Sequence, residues 1–163
     1  MTKGPGTPED SIDASPFAVA IVASKYNATI VDRMVADATQ TFADYGGRPE
    51  KLTCIRAPGA YELPVLSAEC ARSGRFDAIV ALGCLIKGET VHDRVIADAV
   101  ASGLICVSIE TGVPALFGVL TVDTIQQAEA RAGDGSGGKG AEAMIAAIET
   151  ATSLAAIKSK SNS

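Results

Sequence analysis

The chain has 163 residues, of which 47% are hydrophobic and 20% are charged. This length and composition are typical of one globular domain with its own core. The net charge of −5, without a basic stripe or an aromatic platform, argues against a nucleic-acid partner. No segment has the apolar length of a membrane span or the pattern of a secretory signal. We therefore expect a cytoplasmic protein that binds neither nucleic acid nor membrane.

The four cysteines are widely spaced and form neither a CxxC pair nor a Cys/His ligand set, so the sequence predicts no metal site. Cys54, Cys84 and Cys106 lie in apolar runs and Cys70 lies in a helical pattern. We expect all four to be buried free thiols, as in a reducing compartment. A nucleophilic role for Cys84 is the less favoured alternative, because the chain has no second histidine to activate it.

Apolar runs alternate with amphipathic segments along the chain, a pattern that predicts an α/β fold. The predicted strands are 17–23, 52–55, 77–82 and 114–120. The predicted helices are 29–45, 61–73, 92–110, a short helix that ends at Ala132, and 139–157. Capping boxes are predicted for Thr29 with Asp32 and for Thr124 with Gln127. We expect residues 1–15 to be a flexible arm, 16–158 the domain, and 159–163 a frayed tail.

The segment from His92 to Glu110 is ambiguous, because residues 104–109 taken alone have the composition of a strand. A helical apolar face nevertheless continues through the whole segment, and only Gly103 interrupts it. We favour one long helix that ends at Gly112.

The predicted strands are apolar throughout, which is typical of a parallel sheet covered by helices on both faces. The sequence therefore predicts a single-domain, three-layer α/β/α sandwich, with a four-stranded, flavodoxin-like parallel sheet of order 2-1-3-4. In such a fold, ligands bind at the carboxyl ends of the strands. The loops expected there are 24–27, 57–60, 83–91 and 121–123.

The turn from Gly88 to His92 follows the third predicted strand and opens a helix. Free N–H groups and the positive end of a helix suit an anion, especially a phosphate. His92 is the only histidine of the chain, and histidine is the residue type that exchanges protons near neutral pH. An anion cradle beside a proton carrier predicts an active site. The alternative is a strand–helix turn that binds nothing.

Other side chains at the same edge have two interpretations each. Tyr26, Tyr61 and Phe117 either stack on a flat heterocycle or pack in the core. Glu62 either complements a helix dipole or accepts hydrogen bonds from a polyol. Arg131 and Lys139 are either solvated surface charges or, for Arg131, a phosphate clamp.

Five blocks of sequence, taken together, resemble one known family. They occur in order, at residues 26–27, 57–64, 83–92, 111–121, and 131–133 followed by 139–140. The pattern, which covers about residues 17–155, is similar to 6,7-dimethyl-8-ribityllumazine synthases. The resemblance implies the penultimate step of riboflavin synthesis. In that reaction 5-amino-6-(D-ribitylamino)uracil condenses with 3,4-dihydroxy-2-butanone 4-phosphate, phosphate and water are released, and no metal or redox cofactor is required.

The resemblance also implies roles for individual residues. His92 would transfer protons, and Arg131 would be the cation that binds the phosphate. Tyr26 would stack on the pyrimidine, and Glu62 would bind the ribityl hydroxyls. The remaining substrate-binding positions implied by the family are Asn27, Gly59, Ala60, Tyr61, Leu85, Ile86, Gly88, Glu89, Thr90, Phe117 and Lys139. Among these, Gly88, Glu89 and Thr90 would cradle the phosphate, and Phe117 and Lys139 would come from an adjacent subunit.

The resemblance further implies a homo-oligomer, a pentamer with the 92–110 helix around its five-fold axis. The compact loop 134–138 has the length found in shell-forming members, which favours a sixty-subunit shell over a free pentamer or a pair of pentamers. Asp93, Arg94 and Val95 depart from the family, which commonly has aromatic residues at the first and third of these positions. This departure keeps one alternative open, a non-catalytic member that binds a ribityl heterocycle or only forms a shell.

Overall fold

The computed structural model describes residues 11–134 and 137–162. Its strands are β1 (Val19–Ser24), β2 (Leu52–Ala57), β3 (Ala78–Ile86) and β4 (Ala115–Val122). Its α-helices are α1 (Ala28–Asp44), α2 (Leu63–Arg72), α3 (His92–Thr111), α4 (Ile125–Ala132) and α5 (Lys139–Ser161). Single 3₁₀ turns, Pro49–Lys51 and Ala60–Glu62, precede β2 and α2.

The four strands form one parallel sheet in the order β2-β1-β3-β4. Alternate residues of β1 enter opposite cores: Ile21 packs with α1, α4 and α5, whereas Val22 packs with α2 and α3. Both faces of the strand are therefore buried, which is why its sequence is apolar throughout. The predicted three-layer, flavodoxin-like architecture and strand order are confirmed.

The third strand continues to Ile86, four residues past its predicted end at Leu82. Gly83 was interpreted as the start of a turn, but it lies within the strand and pairs with Val119. A side-chain carbon at Gly83 would lie 3.3 Å from Cδ1 of Leu63, so the glycine allows α2 to pack closely against β3. The extension places residues 85 and 86 at the edge of the sheet.

The ambiguous segment after this strand is one continuous helix, as predicted. α3 ends at Thr111, and Gly112 follows in the left-handed conformation with φ of 71°. Only three α3 residues are buried, Val100, Leu104 and Val107. Most of the apolar surface of α3 therefore faces outward in the single chain.

The predicted capping box of Thr29 with Asp32 is wrong. α1 begins at Ala28, and its N-cap is Asn27, with φ of 56° and ψ of 45°. The Asn27 side chain does not cap the helix, because its amide donates a hydrogen bond to the carbonyl oxygen of Cys84 at 2.8 Å. Asparagine is one of the few residues besides glycine that tolerates this left-handed conformation.

The second predicted capping box is confirmed. Oγ1 of Thr124 accepts a hydrogen bond from the N–H of Gln127 at 3.2 Å, and Oε1 of Gln127 accepts one from the N–H of Thr124 at 3.3 Å. The short helix ends at Ala132 as predicted. The last helix, α5, extends to Ser161, past its predicted end near Ile157.

Part of the predicted N-terminal arm packs on the domain. Ala14 is fully buried, and its N–H donates to the carbonyl oxygen of Tyr45 at 2.8 Å. Residues 1–10 of the arm, residues 135 and 136 of the Gly-rich loop, and residue 163 lie outside the described residues. The division into arm, domain and tail stays a prediction.

The prediction of four buried thiols is correct for Cys70 and Cys84 and wrong for Cys54 and Cys106, which are exposed. Cys54 lies on β2, an edge strand, and Cys106 lies on the outward face of α3. An apolar run does not distinguish a covered surface from an uncovered one, and both residues illustrate this.

One described helix, α5, is long and apolar enough to cross a bilayer by length and composition, with a mean hydropathy of 1.2. The sequence analysis did not identify this segment. The side chains of Met144, Ala147 and Ile148 on α5 are fully buried in the core, beside α1 and β4. Buried residues make up 39% of the apolar stretch, so packing in the core accounts for part of its apolar character.

Candidate active site

A cleft of about 580 Å³ opens at the carboxyl edge of the sheet, between the ends of β1 and β3, the turn after β2 and the start of α3. Eleven of the predicted site residues line it: Tyr26, Asn27, Gly59, Ala60, Tyr61, Glu62, Leu85, Ile86, Gly88, Thr90 and His92. The parallel topology brings these residues together from four separate stretches of sequence. The cleft therefore lies where strand-end reasoning predicts a ligand site.

Two tyrosines in the cleft present their rings to solvent. Tyr26 is 70% exposed and Tyr61 is 67% exposed, although the chain has few aromatic residues. Exposed rings at the mouth of a cleft offer an apolar face to a planar ligand. A hydrogen bond holds the backbone of the Tyr26 loop: Oγ of Ser24 accepts from the N–H of Tyr26 at 3.1 Å.

The last residues of β3 form the inner wall of the cleft. Leu85 and Ile86 are half-buried and follow Cys84, whose carbonyl oxygen accepts the Asn27 amide. This bond joins the start of α1 to the neighbouring strand across the cleft. The backbone of residues 85 and 86 thus has a fixed position relative to Tyr26.

Glu62 is half-buried at the end of the 3₁₀ turn that precedes α2. A side-chain carbon at Gly59 would lie 3.2 Å from Oε2 of Glu62, so the carboxylate lies close over the Gly59 backbone. A larger residue at position 59 would compete for that space. The carboxylate is acceptor-only when ionised, which suits a ligand with several hydroxyl groups.

The turn before α3 has an open backbone. A side-chain carbon at Gly88 would meet nothing within 4 Å, so this peptide faces open space. The N–H of His92 donates to Oγ1 of Thr90 at 3.3 Å, which shapes the first turn of the helix. His92 itself is exposed and lines the cleft. The site thus combines an accessible helix N-terminus with an imidazole, groups suited to anion binding and to proton transfer.

Four further residues line the cleft that the sequence analysis did not name as substrate-binding or catalytic: Ser24, Cys84, Asp93 and Ile96. Ile96 lies four residues after His92 and three after Asp93, spacings that make it a neighbour of both on the helix surface, a signal that the sequence contained. Burial raises the pKa of the Cys84 thiol, which keeps it protonated at neutral pH and argues against a nucleophilic role.

Four predicted site residues lie outside this cleft: Glu89, Phe117, Arg131 and Lys139. Phe117 lines a second cleft of about 420 Å³ on the other side of the turn before α3. Thr90 and Asp93 line both clefts. Lys139 pairs with Glu142 at 3.3 Å, and Arg131 is exposed in the last turn of α4. A single chain therefore does not bring every predicted residue into one site.

No grouping of three or more His, Cys, Asp or Glu side chains suited to a metal ion occurs within 11–134 and 137–162. Proton transfer and orientation are the chemistry that the lining residues offer on their own.

The amino-acid sequence matches known proteins over almost the whole described domain. The family model described as 6,7-dimethyl-8-ribityllumazine synthase matches residues 16–155, which include every strand and the whole cleft. The chain belongs to the 6,7-dimethyl-8-ribityllumazine synthase family. The resemblance derived from the five sequence blocks is thereby confirmed.

Individual members of the family support the same assignment. The 6,7-dimethyl-8-ribityllumazine synthase of Deinococcus deserti is 48% identical over 86% of this chain and 90% of its own length. That of Deinococcus radiodurans is 44% identical over 92% of this chain and 97% of its own length. The enzyme of Nitratidesulfovibrio vulgaris is 43% identical over 88% of this chain and 92% of its own length. The similarity thus covers whole proteins rather than a shared motif.

Proposed function

We propose that this protein is a transferase that condenses 5-amino-6-(D-ribitylamino)uracil with 3,4-dihydroxy-2-butanone 4-phosphate to give 6,7-dimethyl-8-ribityllumazine, phosphate and water. The observation that carries the proposal is the 580 Å³ cleft of this family member. The cleft brings together aromatic rings, a carboxylate, an open helix N-terminus and the only histidine of the chain. These are the groups that the reaction needs.

The heterocycle binds at the inner end of the cleft. The exposed ring of Tyr26 stacks on the pyrimidine, and the backbone of Leu85 and Ile86 meets the edge of the uracil. The ribityl chain extends toward Glu62, whose carboxylate accepts hydrogen bonds from its hydroxyls. Gly59, Ala60 and Tyr61 form the wall between these two parts of the substrate.

The phosphate-bearing substrate binds at the start of α3. Backbone N–H groups of Gly88, Glu89 and Thr90 and the positive end of the helix stabilise its charge. The exposed Glu89 side chain lies outside the cleft lining, so its carboxylate need not face the phosphate. Arg131 supplies the guanidinium that balances the dianion.

His92 transfers protons in each bond-forming step. The amine of the pyrimidine adds to the ketone, and loss of water gives an imine. Removal of the proton on the carbon that bears the hydroxyl then expels phosphate and leaves an enol. Proton transfer from the enol oxygen to its terminal carbon gives a new carbonyl, on which the second amine closes the ring with loss of water. An imidazole at the mouth of the cleft accepts and returns these protons, which typically contributes about 10²–10⁴-fold to the rate.

We further propose that the site is completed between subunits of a homo-oligomer. Phe117, Arg131 and Lys139 lie outside the cleft of their own chain, and the outward face of α3 carries exposed apolar side chains, among them Val95 at 60% and Ile109 at 77%. An apolar face of this kind supports burial against a second copy. We propose a pentamer, arranged as a sixty-subunit shell, and a cytoplasmic location.

Purified protein incubated with both substrates tests the proposed reaction. We expect lumazine absorbance and free phosphate to appear in equal amounts, faster than in the protein-free blank, and neither to appear when one substrate is omitted. A rate equal to the blank would contradict the proposal. Retained binding of the pyrimidine in that case would instead support the non-catalytic alternative.

A further inference from the structure

Two side chains of α1, one helical turn apart, contact both ends of the loop that joins α4 to α5. The guanidinium of Arg33 donates from Nη2 to the carbonyl oxygen of Gly133 at 2.8 Å and to that of Glu129 at 3.2 Å. Its Nε also donates to Gly133 at 3.2 Å. These are carbonyl groups that the end of a helix leaves without intrahelical partners. Arg33 thus fixes the C-terminal end of α4 and complements its dipole.

Asp37 makes the corresponding contact with the start of α5. Its side chain is buried, and Oδ2 accepts a hydrogen bond from the N–H of Ala141 at 2.9 Å. This N–H belongs to the first turn of α5, where helical N–H groups lack partners. A carboxylate at this position also stabilises the positive end of the helix.

At the two described ends of the loop, three glycines leave no room for a side chain. Gly133 has φ of +95°, and a side-chain carbon there would lie 2.7 Å from Oδ2 of Asp37. A side-chain carbon at Gly138 would overlap the backbone of Gly133, and one at Gly140 would overlap the carbonyl of Met34. The two ends of the loop therefore lie against each other and against α1 in one fixed arrangement, which we term the loop neck (Gly133, Gly138 and Gly140).

The loop neck separates the two cations that the proposed function uses. Arg131 lies two residues before Gly133, and Lys139 directly follows Gly138. Both have long side chains, so the position of their charges depends on where the backbone is fixed. A phosphate site needs these charges within a narrow range of positions.

We propose that Arg33 and Asp37 are positioning residues that fix Arg131 and Lys139 for binding of the phosphate-bearing substrate. Neither residue lines the cleft or touches substrate in this proposal. The inference rests on the proposed function for the identity of the substrate. Its structural basis is the set of contacts between α1 and the loop neck.

Two pairs of variants test the proposal in the full-length assembled protein. Asp37→Ala removes the acceptor for Ala141, whereas Asp37→Asn keeps an oxygen of similar position. Arg33→Met removes the guanidinium from an exposed site, whereas Arg33→Lys keeps the charge. Because Arg33 is exposed, its variants are expected to fold even where Asp37→Ala is poorly folded.

We expect Asp37→Ala and Arg33→Met to raise the KM for the butanone phosphate about tenfold, a change equivalent to about 1.4 kcal/mol. The KM for the pyrimidine is expected to change less than twofold in both, and the two conservative variants to recover most of the loss. Phe76→Leu is the stability control, because Phe76 is a core residue just before β3, at the amino-terminal edge of the sheet and away from the cleft. It is expected to lower Tm without changing one KM more than the other.

A purely structural role predicts a different result. The Asp37 and Arg33 variants would then either raise both KM values by the same factor or leave both unchanged, and they would differ from Phe76→Leu only in Tm. That result overturns the proposal. Binding of inorganic phosphate, measured by calorimetry, separates this outcome from failure of the proposed reaction. If wild type binds phosphate but shows no turnover, weaker phosphate binding by Arg33→Met still supports the positioning role. The proposal is overturned if Arg33→Met binds phosphate as tightly as wild type, or if wild type binds no phosphate.

Discussion

The side-chain amide of Asn27 donates a 2.8 Å hydrogen bond to the carbonyl oxygen of Cys84, 57 residues later in the chain. The bond crosses from the start of α1 to β3, directly before Leu85 and Ile86. Asn27 also has the only positive φ among the non-glycine residues described. One residue therefore both starts a helix and fixes the inner wall of the cleft.

Two replacements of Asn27 distinguish its role in the left-handed backbone at the start of α1 from its hydrogen bond to β3. Asn27→Gly tolerates the left-handed backbone but lacks the amide, whereas Asn27→Ala loses the amide and adds about 1–2 kcal/mol of backbone strain. We expect both to raise the KM for the pyrimidine, and only Asn27→Ala to lose substantial additional stability. Denaturant unfolding and steady-state kinetics measure the two effects. Equal stability of the two variants would contradict the strain argument.

Tyr26 is expected to contribute to pyrimidine binding through its ring and not through its hydroxyl. Stacking of one base on an aromatic side chain is typically worth about 1–3 kcal/mol by alanine substitution. Tyr26→Ala should therefore raise the KM or Kd for the pyrimidine at least fivefold, while Tyr26→Phe stays near wild type. Since Tyr26 is 70% exposed, Tm should not change. An equal loss in Tyr26→Phe would assign the effect to the hydroxyl.

The sheet and the cleft could be predicted from the sequence because apolar runs and strand-end loops specify them directly. The details that failed depended on tertiary contacts. Gly83 looked like a turn, but it pairs with Val119 within β3, where the absence of a side chain leaves room for Leu63. The Thr29 cap was displaced because Asn27 is held by a strand that is distant in sequence.

Burial was the least predictable property. Cys54 lies in an apolar run but on an edge strand, and Cys106 lies on a helix that packs through only one narrow face. The prediction that Phe117 and Lys139 act from an adjacent subunit came from the family resemblance and not from any local pattern, and in the single chain both lie outside the cleft. No property of the sequence around Arg33 and Asp37 indicated that they contact the loop neck.

The buried thiols predict a loss of stability at alkaline pH. Burial raises the pKa of Cys70 and of Cys84 in the folded protein above the value in the unfolded chain. The stabilising contribution is complete below the unfolded pKa, about 8.5. It decreases as pH rises further, because the unfolded chain then binds fewer protons than the folded protein.

Urea unfolding between about pH 7.5 and 9.5 measures this effect. The free energy of unfolding should decrease above about pH 8.5 in wild type, and the decrease should be smaller in a Cys70→Ala/Cys84→Ala double variant. An identical slope in both proteins would show that other groups cause it. If Cys84→Ala abolished turnover while the protein stayed folded, the argument against a nucleophilic Cys84 would fail.

The proposed assembly predicts that a charge on the outward face of α3 prevents association. Ile109, 77% exposed in the single chain, would become buried between copies, so Ile109→Lys should yield smaller particles by light scattering. Turnover should fall with it, because Phe117 and Lys139 would no longer reach a neighbouring cleft. Ile157→Lys is the matched control, since Ile157 is 62% exposed on α5. Wild-type assembly of Ile109→Lys would exclude α3 as the interface.

The most direct test of the account is the rate of lumazine formation by wild type and by His92→Ala, each compared with the spontaneous rate. Proton transfer by His92 predicts a wild-type rate well above the blank and a decrease in kcat of about 10²–10⁴-fold in the variant, with pyrimidine binding retained. A His92→Ala variant as fast as wild type, or a wild type no faster than the blank, would contradict the assignment of this cleft as the catalytic site.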